Sequence, residues 1–266
     1  MTAISTLLTN SVIASASDSF LTEADTGRTI ETRQPKLVCI KPLRMVVSYW
    51  GLARTNSGFN TFEFLKSFAA RNKGATSPEQ FASVLASEIT NKIRSFRLAT
   101  PADGLGIHIA TFESVSGIYI PELFLCTNYL NTSYTSTSPN FSVTRESFKD
   151  PKYLNRSDPN ARMEFYSSLM NHLVVRFNNG DPELFNPLAD AIMQMSMVLQ
   201  SRGYLSTAKK IEAYRQWVRE PIQAIADLQK RICKKNNRLV GGIVHDVIIY
   251  QSGNIQPSSK RIPVIH

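Results

Sequence analysis

The first fifty residues alternate between short apolar runs and turn residues. Segments 2–9 and 12–17 are apolar with interspersed Ser and Thr, and Asn10-Ser11 separates them. Asn tolerates positive φ at a tight turn, so the pattern predicts a hairpin. The small residues of Val12-Ile13-Ala14-Ser15-Ala16 suit a strand against which another layer packs closely. A second hairpin is expected from 36–40 and 43–48 around Lys41-Pro42, and a third from 106–112 and 118–126 around Ser116-Gly117.

Helical periodicity takes over between them. Phe62, Leu65, Phe68 and Ala69 recur at helical spacing. Ser77-Pro78-Glu79-Gln80 is a helix start, with Ser as N-cap, Pro in the first turn and Gln at the capping-box position. The helix it opens places Phe81, Val84, Leu85, Ile89 and Ile93 on one face. Residues 131–159 are rich in Ser, Thr, Asn and Pro. Helical patterns follow at 163–177 and 188–199, with Asn179-Gly180-Asp181-Pro182 as the break between them. An apolar strand returns at 242–250, and residues 256–266 lack periodicity, as a flexible end or a docking strand would. This order predicts an α+β chain of two packed sheets with helices outside.

Composition narrows the setting. With 266 residues and 42% hydrophobic content the chain can bury a sizeable core. No apolar run approaches the roughly 18 residues of a membrane span. Met1–Phe20 lacks the basic start and unbroken apolar stretch of a secretory signal, since the first basic residue is Arg28. Three separated cysteines form neither a disulfide framework nor a zinc ribbon, which fits a reducing cytoplasm. The net charge of +9 is spread along the chain. Its densest run, Lys230-Arg231-Ile232-Cys233-Lys234-Lys235, reads as a helix C-terminus that favours cations, so nucleic acid is a disfavoured partner. His108, His172, His245 and His266 have no metal-ligand spacing, and no phosphate loop is present, so neither a metal nor a cofactor is expected. Met193, Met195 and Met197 are expected to fill an apolar interface.

Several segments in order resemble the proteasome β-subunit type of N-terminal nucleophile (Ntn) hydrolase, as found in bacterial proteasome-like homologues. Thr2 becomes the first residue once Met1 is removed. Ser15-Ala16-Ser17-Asp18-Ser19 stands where the family ends a small-residue strand in Ala-Ala-Asp-Ser. Lys36-Leu37-Val38-Cys39-Ile40 fits the family's lysine ahead of an apolar strand, and Met45–Gly51 its buried strand ending in a glycine loop. Val240-Gly241-Gly242 precedes the last core strand, as a Gly-Gly turn does in the family. The specific part of the match lies in residues 1–55.

The resemblance implies a four-layer α/β/β/α sandwich of two antiparallel sheets with flanking helices. It would occupy 1–255, interrupted by a helical insertion at about 131–205 and followed by a tail at 256–266. It also implies chemistry. A free α-amine titrates near pH ~8 and can serve as base for its own threonine hydroxyl. Thr2 would be the nucleophile, Lys36 its electrostatic activator, Asp18 the carboxylate that orients the lysine, and the Gly51 N–H the oxyanion donor. The expected activity is cleavage of peptide or amide bonds by a cytoplasmic homo-oligomer forming a ring or open helical turn, with or without an unfoldase partner.

Two positions depart from the pattern. Asn237 and Val240 stand where the family carries Asp and Ser, and the hydroxyl-rich segment 132–138 has no glycine to mark the family's supporting serine. These departures motivate the alternative of a catalytically inactive assembly subunit.

Overall fold

The computed structural model describes residues 3–22, 29–31, 33–55, 58–94, 104–115, 117–131, 136–146, 174–179, 182–204, 207–234 and 240–266. The N-terminal hairpin is β1 (Ile4–Thr9) and β2 (Val12–Ser17), followed by a short pair, β3 (Phe20–Thr22) and β4 (Thr29–Glu31). Next come β5 (Leu37–Ile40), β6 (Met45–Gly51), α1 (Thr61–Asn72) and α2 (Pro78–Arg94). The long hairpin of β7 (Leu105–Val115) and β8 (Ile118–Tyr129) leads to β9 (Thr137–Glu146) and β10 (Val174–Asn179). Two helices, α3 (Pro182–Ser201) and α4 (Thr207–Ile232), precede β11 (His245–Tyr250), β12 (Ile255–Pro257) and β13 (Val264–Ile265).

One sheet has the order β10-β1-β2-β11-β12 and the other β13-β5-β6-β7-β8-β9. The pairing is antiparallel except where β13 lies parallel to β5. Residues 255–265 therefore add an edge strand to each sheet.

Strand alternation sorts the side chains into three apolar cores. On β6, Val47 and Tyr49 face the core under α1 and α2, with Phe62, Phe68, Phe81 and Leu85. Val46 points the other way, into the layer between the sheets, with Leu8, Ile13, Leu37 and Val247. Ala14 and Ala16 of β2 face the opposite side, where α4 lays Trp217, Val218 and Ile222. The small residues of β2 thus leave room for a tryptophan-bearing helix. The result is four layers, helices, sheet, sheet and helices.

Helix α2 begins as its sequence indicates, with the Ser77 hydroxyl accepting from Gln80 N–H at 3.1 Å. Gln80 reaches back one residue further than the capping box requires, and its side-chain oxygen accepts from Thr76 N–H at 2.7 Å. Helix α4 ends with Lys230 and Arg231 in its last turn. None of the described helices is long and apolar enough to cross a membrane.

One local expectation is corrected. A helix over 163–177 does not extend to its end, because residues 174–177 belong to strand β10; residues 163–173 lie outside the described residues. The Val-Val-Arg-Phe sequence suits a strand, and pairing with β1 from Ile4↔Asn179 to Thr9↔Val174 covers an edge that would otherwise be bare. Met195 packs against no apolar core of the chain, so an interface for it would have to lie outside the chain. It is exposed on α3 with Val198 and Leu199, and the side chains of Met193 and Met197 lie outside the described residues.

Candidate functional site

Asp18 follows directly on β2, and its position is set by the ladder. Its N–H donates to the Ala3 carbonyl at 3.2 Å, extending the β1–β2 pairing by one residue toward the N-terminus. Its carboxylate is wholly buried and collects four donors. Oδ1 accepts from Lys36 Nζ at 2.8 Å and from Ala3 N–H at 3.2 Å. Oδ2 accepts from Gly241 N–H at 3.2 Å and from Phe20 N–H at 3.3 Å. Charge-assisted bonds of this kind make it tolerable to bury a carboxylate.

Lys36, immediately before β5, is equally buried. Burial draws its pKa below the usual 10.5, and the charge and hydrogen bond of Asp18 pull it back up. Lys36 is anchored through its backbone as well, since its carbonyl accepts from Tyr49 N–H at 3.3 Å. Tyr49 lies in the field of the same carboxylate; burial first, and then Asp18, push its phenol up from 10.

Gly51 closes β6 at φ +86°, in the left-handed region. A Cβ there would overlap the Gly104 carbonyl, and the Tyr129 hydroxyl would lie 2.9 Å from it. The neighbouring Leu52 N–H donates to that carbonyl at 2.8 Å. The position therefore requires glycine for backbone and packing reasons alike.

The Gly-Gly turn lies against the same carboxylate. Gly241 donates to Asp18 and accepts from Ser19 N–H at 3.2 Å, and the Ser19 hydroxyl accepts from Ile243 N–H at 2.8 Å. The Phe20 ring occupies the space a Cβ on Gly241 would take. Val240 offers no side-chain hydrogen bond, but its N–H donates to the Gln229 side chain of α4 at 3.0 Å.

Of the sequence-derived site residues, Asp18 and Lys36 meet directly. Gly51 ends the strand that pairs with the strand following Lys36, and Ala3 places the start of β1 on Asp18. Thr2 and Asn237 lie outside the described residues, as do 132–135. Residues 137–138 open β9, the far edge of the second sheet, three strands from β6. Sequence reading missed Gln229, because a single polar residue in a helix carries no spacing signal. His245 is buried at the start of β11, and burial lowers its pKa. Among the described residues no group of three His, Cys, Asp or Glu side chains could hold a metal ion.

No family model matches the chain, and no curated protein does. A solved structure does: Anbu (ancestral beta-subunit) from Yersinia bercovieri aligns with a TM-score of 0.53 over 98% of this chain and 88% of its own, at 14% identity. At that identity the likeness is one of fold, and the chain has the proteasome-like α/β/β/α sandwich.

Proposed function

We propose that the chain is a proteasome-like N-terminal threonine hydrolase that cleaves peptide or amide bonds once Met1 is removed. The observation that supports this reading is the shared oxygen of Asp18. It holds the Lys36 ammonium and the N–H of Ala3, the residue after Thr2. As a pair, Lys36 and Asp18 bring little structural gain over two apolar side chains, since a buried ion pair rarely repays its desolvation. Beside an N-terminal amine the lysine would lower that amine's pKa and stabilise negative charge on the threonine oxygen. Thr2 Oγ1 would attack the substrate carbonyl, with its own α-amine as base. The Gly51 N–H would receive the oxyanion, and water would release the acyl group.

The same proposal includes a single Ntn unit over 1–255 interrupted by an insertion at about 131–205, a C-terminal segment at 256–266 that docks on both sheet edges, a cytoplasmic location and a homo-oligomer. Met195, Val198, Leu199 and Tyr204, exposed on and just after α3, support self-association. A second reading, an inactive assembly subunit, draws support from Val240, whose side chain cannot hydrogen-bond to an amine.

Intact mass before and after treatment with a peptide epoxyketone tests the reading, because that reagent closes a stable ring only with a free α-amine and its adjacent hydroxyl. Loss of Met1 and an adduct absent from Thr2→Ala are expected. A retained Met1 would block the amine and favour the inactive subunit.

A further inference from the structure

Among the described residues, a connected group of polar side chains around His108 lies in the otherwise largely apolar layer between the sheets. His108 sits on β7 opposite Ser48 of β6 and is buried. Its Nδ1 lies 3.2 Å from Thr6 Oγ1 of β1, and that hydroxyl lies 3.2 Å from Ser15 Oγ of β2. The imidazole also shares a hydrogen bond with the side chain of Asn179, the last residue of β10. Trp50 meets it edge-on, with ring centroids 5.2 Å apart. Gly106 permits that contact, because the Trp50 indole fills the space of its missing Cβ.

His108 thus joins four strands from two sheets, β6 and β7 of one and β1 and β10 of the other. Strand β1 follows Thr2, β10 pairs with β1 at Ile4↔Asn179, and Trp50 directly precedes Gly51. For packing alone, an aliphatic side chain would fill this layer as Val46, Leu123 and Val247 do, without the cost of burying an imidazole. What histidine adds is two directional bonds that fix how one sheet sits over the other. We propose that His108 is a positioning residue: its bonds to Thr6 and Asn179 and its contact with Trp50 hold β1, which carries Thr2, at a set distance from the Gly51 amide. This rests on the threonine-hydrolase reading. A nucleophile misplaced by about 1 Å from its oxyanion donor loses about 100-fold in rate, whereas binding of the rest of the substrate is unaffected.

The test is the inactivation kinetics of the full chain by a peptide epoxyketone, resolved into kinact and KI. His108→Phe keeps a ring against Trp50 and removes both hydrogen bonds. It is expected to lower kinact by about 10- to 100-fold with KI changed less than about 2-fold. His108→Asn, which restores a polar group near the Nδ1 position, is expected to regain at least about a third of the lost logarithm of rate. Thr6→Val, close to isosteric, serves if His108→Phe does not fold, with an expected fall of about 5- to 10-fold in kinact. A folded His108→Phe or Thr6→Val protein with wild-type kinact, or one whose loss lies in KI, overturns the positioning role while the hydrolase reading stands. A wild-type protein that loses Met1 and takes no adduct overturns the hydrolase reading and this role with it.

Discussion

Lys36 and Asp18 form an ion pair of 2.8 Å in which both side chains are fully shielded from water. Each is held by its own backbone as well, Lys36 through its carbonyl to Tyr49 and Asp18 through its N–H to Ala3. The pair therefore joins the end of one sheet to the start of a strand in the other. Its electrostatics and its place in the fold cannot be separated by removing one partner.

Breaking it from one side should be costly. Lys36→Met leaves a buried carboxylate with three backbone donors and no cation, and Asp18→Asn leaves a buried ammonium with none of its charge matched. Each is expected to destabilise the chain by about 3–5 kcal/mol in chemical denaturation. The double variant should recover a large part of either loss, because it buries no charge at all. Strict additivity of the two single losses would show that the pair is not coupled in the fold.

Much of this architecture was legible in the sequence, and what was not has physical causes. Hairpins β1–β2, β5–β6 and β7–β8 were readable because turn residues lie between apolar runs that pair locally. Asp18 and Lys36 were legible only through the resemblance to the Ntn family; either alone is an ordinary turn or surface residue. Strand β10 was misread over residues 174–177 because its partner β1 lies more than 160 residues away, and local periodicity cannot report such pairing. Gly241 N–H on Asp18, 223 residues apart, was hidden for the same reason. His108 gave no signal, since one histidine in an apolar strand looks the same whether or not its nitrogens are engaged.

Gly51 and Gly58 both have positive φ, at 86° and 93°, but differ in surroundings. A Cβ on Gly58 would meet nothing within 4 Å, whereas one on Gly51 would collide with the Gly104 carbonyl. Gly58→Ala should therefore cost only the backbone strain, about 1–2 kcal/mol. Gly51→Ala should cost about 1–3 kcal/mol more through the forced displacement of backbone. Thermal unfolding of the two variants decides the comparison, and equal losses would mean that the Gly104 carbonyl yields freely. If Gly51 is the oxyanion donor, its variant should also lose epoxyketone labelling while Gly58→Ala retains it.

Ala14 and Trp217 lie in one core between β2 and α4, both essentially inaccessible. Trp217→Ala should open a cavity and cost about 3–5 kcal/mol. Ala14→Leu should overpack the same layer by about 1–3 kcal/mol. Combining Ala14→Leu with Trp217→Leu should cost less than the sum of the separate losses, because one change supplies volume that the other removes. A sum of the separate losses would place the two sites out of contact.

Acid should weaken the fold through His108. Burial lowers its pKa from 6.5 to about 4, against the smaller opposing effect of the Asn179 hydrogen bond. Between those two values the unfolded chain binds a proton that the folded chain refuses, so stability falls as pH falls from 6.5 toward 4 and the loss levels off below. At its full extent the contribution is on the order of 3 kcal/mol. Carboxylates titrate over part of the same range, so the informative quantity is the difference between wild type and His108→Phe. At pH 7 the variant should be the less stable of the two, having lost its bonds to Thr6 and Asn179. Toward pH 4 that deficit should shrink or reverse, since phenylalanine has no proton to refuse. Urea denaturation of both proteins at several pH values measures this directly, and a constant difference would mean that His108 is not held neutral by its burial between the sheets.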